Sequence, residues 1–125
     1  MVDTFDSRGF VLEAAELLDD HKGRDTVAID VHGISSITDY LVITTVTSNM
    51  QMRGLLERLA EHCDHYQVAQ LNSHKRPDDT GWVLLDCEFV VFHLMTREMR
   101  EFYELERLWF AGEKVYGGAV EGRAE

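Results

Sequence analysis

Proline occurs once and cysteine twice in this chain of 125 residues. With one proline and nine glycines, the composition argues against a long disordered linker. Two cysteines, Cys63 and Cys87, are too few for the disulfide framework of a small secreted scaffold, so reduced, packed thiols are expected. No apolar run reaches the roughly 18 residues of a membrane span. The chain begins Met1-Val2-Asp3-Thr4-Phe5-Asp6, with acids where a secretory signal carries bases, so a cytosolic protein is the expectation. Bases are also scarce: 12 Lys and Arg stand against 23 Asp and Glu, a formal net charge of −11. Such a surface repels phosphate backbones, because nucleic-acid affinity comes mainly from Lys and Arg neutralising phosphates. Little direct RNA contact is expected. A basic protein partner suits this charge better, with attraction steering the encounter, although an acidic surface also serves plain solubility.

Catalytic patterns are missing too. Gly117-Gly118 has no predicted strand ahead of it and makes no phosphate loop. A Gly-x-Ser-x-Gly elbow is absent. His62-Cys63-Asp64-His65 invites a metal reading, but neighbours on a helix project in different directions. Zinc wants spaced ligand pairs, so a solvated helix end is expected here. Asp30 and Asp86 could hold Mg²⁺ in a nucleotidyl-transfer site, yet neither has a second carboxylate or a phosphate-gripping loop beside it. The competing reading is that these acids end strands and satisfy turns. No cofactor, no metal and no enzymatic activity are expected.

What is present is the balance of a globular domain: 45 % hydrophobic and 28 % charged residues in a length that suits one domain with a real core. Ser7 to Asp20 reads as a helix, with Phe10, Val11, Ala14, Leu17, Leu18 and His21 on one stripe and Asp6 or Ser7 as its cap. Thr26 to Val31 is a short β-rich run, and Gly33 to Thr38 a turn. Tyr40 to Val46 is nearly continuous and β-branched, which suits a strand buried on both faces. Ser48 to Cys63 reads as a second helix, opened by a Ser48/Gln51 capping box and striped by Met52, Leu55, Leu56, Leu59 and Cys63. Tyr66 to Leu71 is a candidate strand and Asn72 to Thr80 a loop. Trp82 to Asp86 and Glu88 to Leu94 are two tightly joined strands. A third helix leads from Met95 or Thr96 to Ala111-Gly112. Residues 117–125 look like a flexible tail behind a domain of residues 1–116. Helices interleaved with hairpin-like strands imply a single-domain layered α/β/α fold with a mixed sheet of about five strands.

The third helix is unusually apolar. At about 100° per residue, Leu105, Trp109, Phe102, Met99, Phe110 and Tyr103 cover an arc of roughly 160°, which Leu108 extends to roughly 220°. A core-facing stripe needs only about 100°. Two readings are open: a helix buried between two elements of its own domain, or one shared between the core and an external partner.

Three stretches fix a resemblance. They are Gly81-Trp82-Val83-Leu84-Leu85-Asp86, Val90-Val91-Phe92-His93, and Arg100-Glu101-Phe102-Tyr103-Glu104-Leu105-Glu106-Arg107-Leu108-Trp109. Together they resemble the pattern of the ribosomal silencing factor (RsfS) family, related to plant iojap: Trp-x-Leu-x-Asp, a strand ending in Val-x-His, then Arg-x-Phe-Tyr-x-Leu-Glu-x-Leu-Trp. The runs Val27 to Val31 and Ile34 to Ile43, with Ser48, match the family's strand, turn and strand. The resemblance covers about residues 7 to 112. It departs between His65 and Thr80, where Leu71-Asn72-Ser73-His74 replaces the family's usual Glu-Gly pair.

The resemblance implies a nucleotidyltransferase-like fold without the catalytic pattern. It implies docking on the large ribosomal subunit, on ribosomal protein L-fourteen at the inter-subunit face, which blocks joining of the small subunit and lowers translation when nutrients are scarce. Organellar relatives act in ribosome assembly, and isolated members are often homodimers. By motif position, Trp82, Tyr103, Leu105 and Trp109 are the candidates to anchor or shape the contact. Asp86, Glu104 and Glu106 would offer negative charge to a basic partner. Each has a blander alternative: Trp82 covering the sheet, Leu105 and Trp109 wholly in the core, Asp86 fixing its hairpin. Tyr103 lies at the edge of the apolar arc, where partial exposure is expected.

Overall fold

A computed structural model describes residues 5–71, 81–108 and 111–117. The chain runs α1 (Ser7–Asp20), β1 (Arg24–Asp30), β2 (Tyr40–Val46), α2 (Asn49–His65), β3 (Trp82–Asp86), β4 (Val90–Thr96), α3 (Arg97–Tyr103), α4 (Leu105–Leu108) and β5 (Glu113–Gly117). The five strands form one sheet in the order β3-β4-β2-β1-β5. Only β2 and β4 are parallel; the other pairs are antiparallel. The mixed α/β/α domain is therefore as the sequence implies.

The helices begin where short polar side chains satisfy free backbone donors. The Asp6 carboxylate accepts from the Gly9 N–H at 2.9 Å, and the Ser48 hydroxyl accepts from the Gln51 N–H at 3.0 Å. Gln51 does reach back, but one residue further than a capping box: its Oε1 accepts from the Thr47 N–H at 2.8 Å. Strand β2 has neighbours on both sides, and all seven of its residues are buried, as its β-branched run predicts.

Alternation along the strands separates two cores. On one face, Ala28, Val42, Val46, Val83, Leu85, Phe92 and Leu94 pack beneath α1 and α2, with Phe10, Leu18, Leu55 and Leu59. On the other, Val27, Ile29, Val31, Leu41, Ile43 and Met95 pack with Leu105, and Trp82 and Met99 close the edge. Among the described residues, α3 and α4 are the helices that cover that second face.

Three expectations need correction. Tyr66 to Leu71 is not a strand. The chain leaves α2 with Gln67 in a left-handed turn (φ 60°) and continues as a strap. Val68 N–H donates to the Cys63 carbonyl, and Leu71 N–H to the Asp86 carbonyl. The fifth strand is instead β5, which lines the far edge against β1. Its Glu-Lys-Val-Tyr-Gly sequence carries two charges that an edge strand tolerates and a sequence reading discounts. Gly117, expected as the first tail residue after no strand, ends β5 opposite Val27. A Cβ at this position (φ 69°) would collide with the Thr26 carbonyl oxygen, so only glycine fits. The third correction is the last helix, which breaks at Glu104 (φ 49°, ψ 52°) into α3 and α4. The predicted loop over Asn72 to Thr80 and the tail over 118–125 lie outside the described residues.

Candidate partner-binding surface

The break at Glu104 determines what this end of the molecule presents. Thr96 caps α3, its hydroxyl accepting from the Met99 N–H at 3.3 Å. Eight residues later the left-handed Glu104 ends the helix, its N–H still bonded to the Arg100 carbonyl. Arg100 then holds the two pieces together. Its Nη2 lies 2.6 Å from Oε2 of Glu106, and its Nε 3.4 Å from Oε1. Its Nη1 donates to the Thr45 hydroxyl at 2.8 Å and to the Arg24 carbonyl at 3.5 Å. One guanidinium thus joins α3, α4, β2 and β1, using the forked donor geometry that lysine lacks.

The break turns Leu105 inward, where it is 7 % exposed. It leaves Phe102 76 % and Tyr103 46 % exposed. The wide apolar arc of an unbroken helix is therefore not what the molecule uses. Met99 and Leu105 face the core, while Phe102 and Tyr103 stand outward on the last turn of α3. Their rings meet edge to face at 4.9 Å, and Tyr103 lies 4.8 Å from the indole of Trp82. Trp82 is half-buried and donates its indole N–H to Nδ1 of His93 at 3.1 Å. Burial pushes His93 down to about 4. Phe102, Tyr103 and Trp82 form one continuous aromatic ridge over the β3–β4 edge.

Two acids, Glu104 and Glu106, follow the ridge in the chain, and Asp86 lies farther off along β3. Glu104 is exposed and reaches Arg107 at 2.9 Å. Glu106 is committed to Arg100. Asp86 is half-buried, and its carboxylate accepts from the Glu88 N–H at 2.9 Å, holding the hairpin turn. Trp109 lies outside the described residues. The structure therefore brings Trp82, Tyr103, Glu104, Leu105 and Glu106 to one end of the second face, with Asp86 at the other end of β3.

Phe102 is the prominent member that motif position did not select. Its signal was hidden by the assumption of one unbroken helix. The same holds for the Arg100–Glu106 pair. Residues six apart would sit about 240° apart on a continuous helix and could not meet.

Other candidate chemistry does not converge. Asp30 and Asp86 lie at the same end of the sheet, but on β1 and β3, with β2 and β4 between them. Three strand spacings of about 4.8 Å put them roughly 14 Å apart, too far to share a metal. Asp30 instead pairs with Arg8 at 3.0 Å and accepts from the His32 N–H. His62, expected on a solvated helix end, packs 4.4 Å from the Phe10 ring, with Nε2 3.1 Å from the Phe10 carbonyl oxygen. Beside the ridge an open cleft of about 500 Å³ has Arg97, Arg100 and Arg107 in its lining. Each of these is already paired, with Glu101, Glu106 and Glu104 respectively, which suits it poorly to phosphate.

Fold and surface together define a class: a layered α/β domain that presents an aromatic ridge with acidic neighbours. The chain matches the family model described as "Ribosomal silencing factor during starvation" over residues 4–123 and belongs to the ribosomal silencing factor (RsfS) family. It is 36 % identical to ribosomal silencing factor RsfS of Haemophilus influenzae over 94 residues, spanning 75 % of this chain and 91 % of that one. It is 34 % identical over 95 residues to mouse mitochondrial assembly of ribosomal large subunit protein 1, spanning 74 % of this chain and 42 % of that protein. Among solved structures it resembles a crystal structure of a Chromobacterium violaceum protein, with a TM-score of 0.77 and 27 % identity, covering 91 % and 93 % of the two chains.

Proposed function

We propose that this protein silences ribosomes by steric exclusion. It docks on the large subunit through ribosomal protein L-fourteen, occupies space that the small subunit needs, and lowers translation when nutrients are scarce. The observation that carries this reading is the ridge of Phe102, Tyr103 and Trp82 beside Glu104. Exposed aromatic side chains held by a rigid scaffold are typical interface anchors. A chain of net charge −11 favours a basic protein over an RNA backbone as its partner. No bond is made or broken in this mechanism. The test is sedimentation of purified large and small subunits with and without the protein. The proposal expects coupled ribosomes to decrease as protein is added, and undiminished coupling at saturation would overturn it.

A second reading, assembly of the large subunit, is favoured by the mouse relative's name. It uses the same surface. Depletion of the protein followed by profiling of immature large subunits separates the two.

A further inference from the structure

Cys63 closes the apolar stripe of α2 in its last turn, and Cys87 follows directly on β3. Both thiols are fully enclosed, at 0 % and 1 % exposure, and both are free. Their sulfurs lie 3.6 Å apart and share a thiol hydrogen bond. A disulfide needs a separation of about 2.05 Å, so roughly 1.5 Å of approach separates the pair from a bond. The strap that follows α2 is anchored on both cysteine neighbourhoods: Val68 N–H bonds the Cys63 carbonyl, and Leu71 N–H bonds the carbonyl of Asp86, next to Cys87. Val68 packs on the cluster that contains both thiols. Release of two hydrogen bonds would loosen this strap, the kind of local opening that precedes global unfolding.

We propose that Cys63 and Cys87 are a dithiol oxidation site, which a hydroperoxide converts to an intramolecular disulfide tying the end of α2 to the β3–β4 turn. The two thiols are not equivalent. The hydrogen bond shared with Cys87 lowers the pKa of Cys63 against the opposing effect of burial. That same bond, and burial with it, raises Cys87. Cys63 is the better placed of the two to react first, and the reverse order leads to the same disulfide. Its sulfur attacks one peroxide oxygen, the O–O bond breaks, and the other oxygen leaves as water after taking a proton, giving a sulfenic acid. The Cys87 sulfur then attacks the Cys63 sulfur. The S–S bond forms, the S–O bond breaks, and hydroxide leaves as a second water with the Cys87 proton. Two thiols and one hydrogen peroxide become one disulfide and two waters. The bond stiffens the turn that carries Asp86, and the inference does not depend on the ribosome reading.

The test uses the full chain, reduced and then treated with a small molar excess of hydrogen peroxide, alkylated in denaturant, and weighed intact. The expected product is about 2 Da lighter and takes up no alkyl group, as a disulfide requires. Digestion should yield a Cys63–Cys87 linked peptide that dithiothreitol separates. Closing this loop should raise the melting temperature, on the order of 10 °C. In Cys63→Ser, Cys87 should remain alkylatable after the same treatment. Two alkyl groups on oxidised wild type, a gain of about 32 Da for a sulfinic acid on one sulfur, or a disulfide-linked dimer on a non-reducing gel would each overturn the proposal. These wild-type readouts do not depend on any variant folding.

Discussion

The indole N–H of Trp82 donates to Nδ1 of His93, 3.1 Å away on the neighbouring strand. An indole can only donate, so Nδ1 carries a lone pair and the imidazole is neutral. This hydrogen bond fixes the orientation of Trp82, and Trp82 in turn supports the Tyr103 ring at 4.8 Å. The aromatic ridge is therefore held from beneath by an uncharged histidine.

That arrangement makes stability depend on acidity. Burial holds His93 at about 4 against an ordinary value of 6.5. Between those values the unfolded chain binds a proton that the native chain refuses, so stability falls as pH drops from about 6.5 to about 4. The contribution is fully present above pH 6.5. Its upper bound is roughly 3 kcal/mol, at about 1.4 kcal/mol per pH unit. Urea denaturation of wild type and His93→Gln across this range should show the wild-type advantage shrinking on acidification. Parallel curves would remove His93 as the cause.

Phe102 and Tyr103 should separate binding from stability. Phe102 is 76 % exposed, so Phe102→Ala should change stability by less than about 0.5 kcal/mol. Tyr103→Ala removes a ring contact with Trp82 and should cost about 1 kcal/mol. Either change should weaken large-subunit binding tenfold or more, the loss of about 1.4 kcal/mol or above expected of an anchor. Filter binding to purified large subunits measures this. Unchanged affinity for both variants would place the docking surface elsewhere.

Most of the fold could be read from local patterns. The stripe of α1, the buried run of β2 and the caps at Asp6 and Ser48 each have a physical cause within a few residues. What escaped depends on residues far apart in the chain. Strand β5 exists because β1 offers it an edge, and nothing in Glu-Lys-Val-Tyr-Gly alone compels pairing. The break at Glu104 is held by Arg100 bonding Thr45, a residue 55 positions away. The candidate site shows the same division. Trp82 and Tyr103 could be chosen from the motif, but the exposure of Phe102 follows only once the helix is known to break.

Arg100 is the test of that break. Its side chain is 11 % exposed and bonds Glu106, Thr45 and the Arg24 carbonyl. Arg100→Ala leaves a partly buried carboxylate and a hydroxyl without their partner, and should cost about 3 kcal/mol. Arg100→Lys keeps the charge but loses the fork, and should recover less than half of the loss. Chemical denaturation midpoints decide this, and full recovery by lysine would show that charge alone is required.

Nucleotide binding is a further check on function. With Asp30 and Asp86 separated by two strands, calorimetric titration with ATP and Mg²⁺ should be flat. Saturable, Mg²⁺-dependent heat would revive a nucleotidyl-transfer reading.

Glu104 joins the fold to the proposed function, and one substitution should move them in opposite directions. A non-glycine residue held in the left-handed region carries roughly 1–2 kcal/mol of strain. Glycine at a helix C-terminus relieves it. Against this, Glu104→Gly forfeits an exposed ion pair with Arg107, worth about 0–1 kcal/mol. The net expectation is a gain of about 0.5–1 kcal/mol, visible as a higher urea midpoint. The same change removes an exposed carboxylate that directly follows Tyr103 of the aromatic ridge. Large-subunit binding should weaken, and most at low salt, where an acid facing a basic partner contributes most. A fall in the midpoint would mean that Glu104 is not strained, whereas equal affinity at low and high salt would mean that its carboxylate does not face the ribosome. Because the stability gain and the binding loss are opposed, neither can be mistaken for general misfolding.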